Sequence, residues 1–223
     1  GKKVHLATTD PADHLSLYLA ETKEIFVSHI DEEKELQAYQ EEVLAKARET
    51  MSADDVAYVE EDLRSPCTQE IAIFRAFAEI VDKAENEIVV IDTAPTGHTL
   101  LLLDSTQSYA KEVERSAGEV PASIKKLLPR LQNKAETEVL MVTLPETTPV
   151  YESLRLDADL DRAKIAHTWW LVNQSMYATD TSNVILKARA ANEIEWIEKV
   201  AEVSNGHFAV AEWVSDFEAE FVH

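Results

Sequence analysis

The chain has 223 residues, of which 45% are hydrophobic, and its 42 acidic and 21 basic side chains give a formal net charge of -21. We expect one substantial core and a single domain over residues 1–223. The acidic balance argues against a nucleic-acid partner, because phosphate neutralisation requires clustered Lys and Arg side chains.

Cysteine content and hydropathy argue against two further classes of protein, those held together by disulfides or a CxxC zinc pair and those that span a membrane. Cys67 is the one cysteine, so the chain has no internal disulfide framework and no CxxC zinc pair. The apolar runs fall far short of the roughly 18 residues that a membrane span requires. We therefore expect a soluble protein in a reducing, cytosolic setting.

Short runs rich in β-branched residues recur along the chain. They are VHLAT (4–8), EIFVSHI (24–30), EIVVID (87–92), EVLMVTL (138–144), TWWLVN (168–173) and HFAVAEWV (207–214). Nearly continuous apolar character is typical of strands that are buried on both faces. Their alternation with helical segments predicts a three-layer α/β fold with a mainly parallel sheet.

The sequence of residues 31–83 indicates a helical insertion between strands. The first helix begins after Asp31, a favourable N-cap, and carries acidic residues in its first turn, where the helix dipole favours them. A second short helix covers DDVAYVEEDL. The third begins at Ser65 and Pro66, with Ser as the N-cap and Pro at the first helical position.

Acidic residues follow two of the predicted strands. Asp10 comes after VHLATT and Asp92 ends EIVVID, so a parallel sheet would bring both towards one edge. Aspartates in this position commonly hold the water ligands of magnesium or orient an attacking water in phosphoryl transfer. The alternative is that each carboxylate caps the turn that follows it.

Four motifs carry a resemblance to a known family. They are TTDPADHLS (8–16), EEDLRSPCTQEIAIF (60–74), DTAPTGHTLLLLD (92–104) and VTLPETTPV (142–150). Together they resemble the ArsA family of arsenical pump-driving ATPases, and most closely the second nucleotide-binding half of the duplicated enzyme. The resemblance implies a P-loop NTPase fold of the deviant Walker A type, with ATP and Mg²⁺ as ligands.

The resemblance also assigns roles in nucleotide chemistry. Asp10 matches the switch I aspartate that positions or activates the hydrolytic water. Asp92 matches the switch II aspartate near magnesium and the γ-phosphate. Asn173 matches the asparagine that reads the adenine edge, although a turn residue at the end of a strand would also explain it.

Ser65, Cys67 and His98 match the residues with which this half contributes to a site for trivalent arsenic or antimony. A soft metalloid prefers thiolate, and a cysteine close to a helix N-terminus has a lowered thiol pKa. Without the family, helix capping would explain Ser65, a buried small hydrophobe would explain Cys67, and a turn would explain His98.

The same resemblance implies partners and a location. It predicts an arsenite efflux channel in the membrane and a second ATPase half, in the same parent chain or as a homodimer, with the ATPase peripheral to the cytoplasmic face. Two alternatives stay open. One is an ATPase that targets tail-anchored membrane proteins, and the other is an inactive regulatory half.

The phosphate cradle of the family is missing from the sequence. A Gly-rich loop ending in Gly-Lys-Ser/Thr should precede the first predicted strand, yet the chain begins at Gly1-Lys2-Lys3. We therefore interpret the chain as a fragment of a longer protein. The fragment itself is expected to be inactive, because the backbone amides and lysine of the loop provide most of the phosphate binding.

Overall fold

Parallel strands form the framework of the two compact units into which the chain divides, Gly1–Leu128 and Pro129–His223. The structure is a computed structural model that describes residues 2–8, 24–93, 121–179 and 181–214, without the side chain of Cys67. Among these residues, no helix is both long enough and apolar enough to cross a membrane.

The sheet of the first unit has three described strands, all parallel. Strand β1 (Val4–Thr8) lies in the centre, between β2 (Ile25–His29) and β3 (Ile88–Asp92). Val4 is paired with Ile25 on one side and with Ile88 on the other. The carboxyl ends of the three strands therefore meet at one edge.

Three helices occupy the segment between β2 and β3. They are α1 (Glu32–Thr50), α2 (Ala53–Asp62) and α3 (Pro66–Asp82), and a short 3-10 turn (Lys83–Glu85) follows. Asp31 caps α1 as predicted, because its carboxylate accepts from the Lys34 N–H at 3.2 Å. The guanidinium of Arg75 on α3 lies 2.8 Å from Glu42 on α1 and ties these two helices together.

Helix α3 supplies most of the buried apolar surface of the insertion. Its apolar stretch EIAIFRAFAEIV is buried around most of the helix circumference in the last turns, as expected for a helix enclosed in a core. The buried residues are Ala72, Phe74, Ala76, Phe77, Ala78, Ile80 and Val81. Ala7 of β1 is also fully buried.

The second unit contains another sheet of three described parallel strands, in the order β4-β5-β6. Their bounds are Met141–Thr143, Trp170–Ser175 and Phe208–Glu212. Helix α5 (Thr147–Ala163) follows β4 and helix α6 (Val184–Val203) follows β5, while α4 (Ala122–Leu131) contains the boundary between the units. The core includes Met141, Val150, Trp170, Val172 and Val200.

Every strand run proposed from the sequence contains an observed strand, and every described pairing is parallel, so the α/β prediction is confirmed. The observed bounds differ from the proposed ones in five of the six runs, by one to three residues at an end. The run 138–144 yields three strand residues, Met141–Thr143, whereas β5 continues two residues beyond Asn173 to Ser175. The single domain over residues 1–223 stays a prediction.

Helix α5 ends in a residue with left-handed backbone. Lys164 has φ 60° and ψ 36°, and the N–H of Ile165 reaches back to the carbonyl of Leu160 at 3.0 Å. Glycine usually occupies this position, because a Cβ clashes with the backbone in the left-handed region. Lys164 therefore carries local strain that the buried Leu160 and Ile165 help to offset.

We predict that Lys164→Gly raises the free energy of unfolding by about 0.5–1 kcal/mol, because glycine removes the Cβ clash at this position. Denaturant unfolding followed by tryptophan fluorescence measures the effect, since all 4 tryptophans lie in the second unit. The control is Lys187→Gly, an exposed position in α6, which should lower stability by about 1 kcal/mol. A loss of stability in Lys164→Gly would contradict the strain argument.

A buried histidine lies in the central strand of the first unit. The Nε2 of His5 is 2.8 Å from the Ser28 hydroxyl and 3.4 Å from the ammonium of Lys83. Burial lowers the pKa of His5 below its ordinary 6.5, and the charge of Lys83 lowers it further, while Glu87 opposes the shift. Folding therefore favours the neutral form of His5.

We predict that the stability of the first unit falls as the pH is lowered through 6.5, the ordinary pKa of His5. The unfolded chain binds the proton more readily than the folded chain, so stability is full above that pH and is lost below it. Amide hydrogen exchange of residues 4–8, corrected for intrinsic rates, measures the slope. His5→Gln should flatten it, and an unchanged slope in this variant would assign the effect to other groups.

Candidate functional site

The last residues of β1, β2 and β3 lie side by side at the carboxyl edge of the first sheet. Thr8 is in register with His29 on one neighbour and with Asp92 on the other. Thr8 is 1% exposed, and its hydroxyl donates to the Asp92 carboxylate at 3.5 Å. Asp92 is exposed. An accessible carboxylate thus stands at the edge where the sequence places it.

Two of the predicted site residues near this edge, Asp10 and His98, lie outside the described residues. Asp10 follows Thr8 by two positions and His98 follows Asp92 by six positions in the sequence. The proposed meeting of Asp10 with Asp92 therefore stays a prediction.

Helix α3 begins at the motif that carries Ser65 and Cys67. Ser65 is the N-cap, but its side chain makes no capping bond to the backbone. Its hydroxyl lies 3.1 Å from that of Thr68, which donates its own proton to the Asp62 carbonyl at 3.4 Å. Ser65 is consequently the donor to Thr68, and helix capping does not explain its side chain. The backbone of Cys67 lies in the first turn of α3.

Asn173 lies in β5, two residues before the strand ends. Gln174 follows with a left-handed φ of 55° and donates its N–H to the Asn173 side-chain oxygen at 3.0 Å. This bond fixes which end of the Asn173 amide is the carbonyl. The amide NH₂ group can then act as a donor to a ligand, as adenine recognition by asparagine requires.

A buried carboxylate on α6 holds the end of β5. Glu193 is 2% exposed, and its Oε2 accepts from the Ser175 hydroxyl at 2.9 Å and from the Tyr177 N–H at 3.0 Å. The Ser175 hydroxyl in turn accepts from the Ala178 N–H at 3.3 Å. The turn that leaves β5 is therefore determined by a side chain 16 to 18 residues further along the chain.

A pocket of about 240 Å³ lies beside Glu193, where β4 gives way to α5. Arg189 joins two carboxylates at its mouth, 3.0 Å from Glu146 and 3.5 Å from the Oε1 of Glu193. That buried Oε1 has no hydrogen-bond partner. The complete lining is Pro145, Glu146, Thr147, Arg189, Asn192, Glu193 and Trp196. The pocket combines charged groups of both signs with one aromatic face.

Sequence reasoning missed Glu193 and Arg189. A signal was available, because Glu193, Trp196 and Val200 share one face of α6 at helical spacing, with Glu193 and Val200 buried. An acidic residue in a position of the apolar stripe predicts a buried carboxylate with specific partners. Arg189, one turn before Glu193, is then its natural counter-ion.

Carboxylate, hydroxyl and amide groups lie at the strand ends of these parallel α/β units. Parallel α/β proteins are a class that binds ligands at the carboxyl edge of the sheet. The chain belongs to the ArsA_ATPase family, described as anion-transporting ATPases. The model of this family matches residues 1–120 and 108–213. The resemblance found in the four motifs is confirmed.

Relatives with curated names agree with the family. The chain is 46% identical over 202 residues to the "Arsenical pump-driving ATPase" of Escherichia coli, covering 90% of this chain and 34% of that protein. It is 45% identical to the protein of the same name in Acidiphilium multivorum, with the same coverage. It is 28% identical over 144 residues to an "ATPase ASNA1 homolog" of Plasmodium falciparum, covering 50% of this chain and 38% of that protein. The chain thus spans about a third of the length of these relatives.

We predict that Glu193→Ala lowers the free energy of unfolding by about 2–4 kcal/mol, because Ser175 and Tyr177 lose a charged acceptor and a cavity remains. Glu195→Ala is the matched control, since Glu195 lies on the same helix and is exposed, and it should change stability by less than about 0.5 kcal/mol. Denaturant unfolding with tryptophan fluorescence distinguishes the two. Equal effects would mean that the Glu193 bonds contribute nothing specific.

Proposed function

We propose that the chain forms part of the ATP-driven subunit of an arsenite and antimonite efflux pump, in which metalloid binding is coupled to ATP hydrolysis. The observation that carries the proposal is the 46% identity, over 90% of the chain, to a protein named "Arsenical pump-driving ATPase". The four motifs of the sequence, which contain Asp10, Cys67, Asp92 and His98, lie within the residues matched by the family model.

Asp10 and Asp92 are proposed to serve phosphate chemistry at the edge of the first sheet. Asp92 is exposed at the end of β3, and the Thr8 hydroxyl lies 3.5 Å away. Carboxylate and hydroxyl oxygens are the ligands that Mg²⁺ prefers, directly or through its water molecules, so these side chains fit that ion. When bound, Mg²⁺ neutralises charge on the phosphates. In this proposal Asp10 orients the attacking water.

Asn173 is proposed to read the adenine edge of ATP. Its side-chain oxygen already accepts from Gln174, which orients the amide at the end of β5. Glu193 supports this arrangement by holding Ser175, two residues further on, through a buried hydrogen bond. The orientation of the adenine reader is in this way fixed before nucleotide binds, which reduces the entropy cost of binding.

Ser65, Cys67 and His98 are proposed to bind the metalloid, which is the cargo or effector of the ATPase. Cys67 is the second residue of α3, in the first turn, where the helix dipole favours thiolate. The Ser65 hydroxyl is not used for capping, so its oxygen can accept or coordinate. Trivalent arsenic and antimony are soft and bind thiolate well, with imidazole as a further ligand.

The loop from Asp92 to His98 is proposed to couple the two sites. It joins the nucleotide end to the metalloid end within six residues, a span of at most about 20 Å when extended. A ligand at either end can bias the conformation of the same segment, and this coupling must be reciprocal for binding.

The proposed partners follow from the pump. They are an arsenite efflux channel in the membrane and a second ATPase half, with the subunit at the cytoplasmic face. One half supplies a single thiol, whereas trivalent arsenic forms its tightest complexes with three thiolates. High-affinity metalloid binding is therefore proposed to require ligands from the second half.

A targeting ATPase for tail-anchored membrane proteins is the second candidate, which the family resemblance leaves open, and the chain is also similar to an "ATPase ASNA1 homolog". A groove for an apolar tail requires exposed apolar side chains. Over the described residues 32–62, the large hydrophobic side chains that are exposed are Met51 and Tyr58. This acidic surface favours the pump over the targeting function.

We predict that the 223-residue chain releases phosphate from ATP weakly or not at all, because its sequence contains no Gly-Lys-Ser/Thr loop. The comparison is with a version extended at the N-terminus by a segment that carries such a loop, assayed for phosphate release with ATP and Mg²⁺. In the extended version, Asp10→Asn should abolish turnover. Robust hydrolysis by the 223-residue chain would overturn the argument.

We predict that Cys67→Ala, in a version that hydrolyses ATP, abolishes stimulation by antimonite and leaves basal hydrolysis within about twofold, while His98→Ala weakens stimulation less. The measurement is the ATPase rate against antimonite concentration. The control is Thr50→Ala, which removes an exposed hydroxyl that hydrogen-bonds the Lys46 carbonyl on α1, and it should leave both basal hydrolysis and stimulation unchanged. Stimulation that persists in Cys67→Ala would remove the metalloid function and favour the targeting ATPase.

A further inference from the structure

Two aspartates and a histidine converge near the C-terminal end of α5. Asp157 and Asp161 are one helical turn apart, and His167 lies in the segment that leads into β5. The Nε2 of His167 is 3.2 Å from Asp157 Oδ1 and 3.7 Å from Asp161 Oδ1. One ligand atom from each of the three residues lies within 4.8 Å of the other two.

The backbone determines which nitrogen of His167 faces the carboxylates. Its Nδ1 lies 2.7 Å from the carbonyl oxygen of Ile165, and a carbonyl can only accept, so Nδ1 carries a proton. In the neutral ring, Nε2 then directs its lone pair at two carboxylate oxygens, which is repulsive unless a cation lies between them. The His167 side chain is 12% exposed, so it cannot turn freely away.

The distances suit a metal ion. Two ligands about 2.1 Å from one ion lie about 3.0–3.4 Å apart at octahedral or tetrahedral angles. The observed 3.2 and 3.7 Å are close to this range. A metal-bound histidine usually donates its second ring N–H to a backbone carbonyl or a carboxylate, as His167 does to Ile165.

The donor set also indicates the type of ion. Ca²⁺ and Mg²⁺ prefer all-oxygen sites, whereas imidazole with carboxylates suits the first-row divalent metals. A dication neutralises both carboxylates, while a proton on Nε2 neutralises one of them. The side chain of Asp161 is 76% exposed, so water can reach the remaining coordination positions.

We propose that Asp157, Asp161 and His167 form a binding site for a first-row divalent metal ion, with Zn²⁺ as the representative ion. The site lies before the amino end of β5, whereas Asn173 lies near the carboxyl end of the same strand. It shares no residue with the metalloid set. A bound ion fastens the last turns of α5 to the segment that enters β5, and so it stabilises the second unit.

The test is Zn²⁺ binding to the full chain in a Cys67→Ala background, which removes the thiol as a competing ligand. Isothermal titration with ZnCl₂ should give one site, and Asp157→Asn or His167→Gln should weaken it at least tenfold. The matched control is Asp159→Asn, on the same helix, where the carboxylate pairs with Arg162. This control should retain the parent affinity within twofold.

Two further readouts separate a metal site from a protonated ion pair. Zn²⁺ should shift the ring ¹⁵N resonance of His167 Nε2. It should also raise the melting temperature, followed by tryptophan fluorescence, in the parent and in Asp159→Asn but in neither Asp157→Asn nor His167→Gln. Should circular dichroism show that a variant is unfolded, Asp161→Asn takes its place, because that side chain is largely exposed.

The proposal is overturned if Asp159→Asn weakens Zn²⁺ binding as much as Asp157→Asn does, which would indicate a general acidic surface. It is also overturned if His167 carries protons on both nitrogens and its resonances are unmoved by Zn²⁺, which would indicate an imidazolium ion pair. Affinity that is unchanged in Asp157→Asn and His167→Gln would place the ion elsewhere.

Discussion

Parallel strand pairing is the constraint on which the structure depends. In parallel pairs the carboxyl ends of neighbouring strands lie at one edge, and each return connection must cross over outside the sheet. Thr8 and Asp92 meet for this reason although 84 residues separate them in sequence. The same constraint brings the ends of β4 and β5 to one edge of the second sheet. Groups from distant motifs can therefore serve one ligand without any being close in sequence.

Buried polar bonds refine what strand pairing leaves open. At the end of β5 the register shifts between Val172 and Ser175, and the backbone passes through a left-handed residue, Gln174. Such a turn would have several conformations if it were held by backbone bonds alone. The buried Oε2 of Glu193 selects one of them, because leaving that oxygen without donors would be costly. The orientation of Asn173, a candidate ligand-binding residue, thus depends on Glu193, a residue of the core.

The sequence allowed the strands and the inserted helices to be predicted because their signals are local. Apolar β-branched runs, the Asp31 cap and the Ser65-Pro66 start each depend on a few adjacent residues. Features that depend on distant partners were missed. The burial of the Glu193 carboxylate depends on its hydrogen bond to Ser175 in another element. The left-handed backbone of Lys164 depends on how the end of α5 packs. The Ser65 hydroxyl bonds a neighbour, Thr68, rather than the helix backbone, and the sequence did not distinguish these two local partners.

Repulsion among the many acidic side chains is offset by basic residues at particular positions. The chain carries a net charge of -21, and α1 alone has three acidic residues in its first turn. Hydrogen bonds from Lys46 and Arg75 lower the pKa of Glu42 and keep it ionised between two helices. Each exposed ion pair of this kind contributes little to the free energy of folding. The main effect of Arg75 is therefore to fix the orientation of α3 relative to α1. The acidic surface is compatible with a well-packed insertion for this reason.

The separation between β1 and β3 has a consequence during synthesis. Ribosomes add roughly 5–20 residues per second, so β1 waits on the order of 4–17 seconds for the strand that completes its second side. The helices α1, α2 and α3 emerge in that interval and can form from local contacts, which close faster than long-range pairings. A nascent chain would expose one edge of β1 until residue 92 has left the exit tunnel. Chaperone binding to the growing chain should accordingly peak while residues 32–82 are emerging from the tunnel.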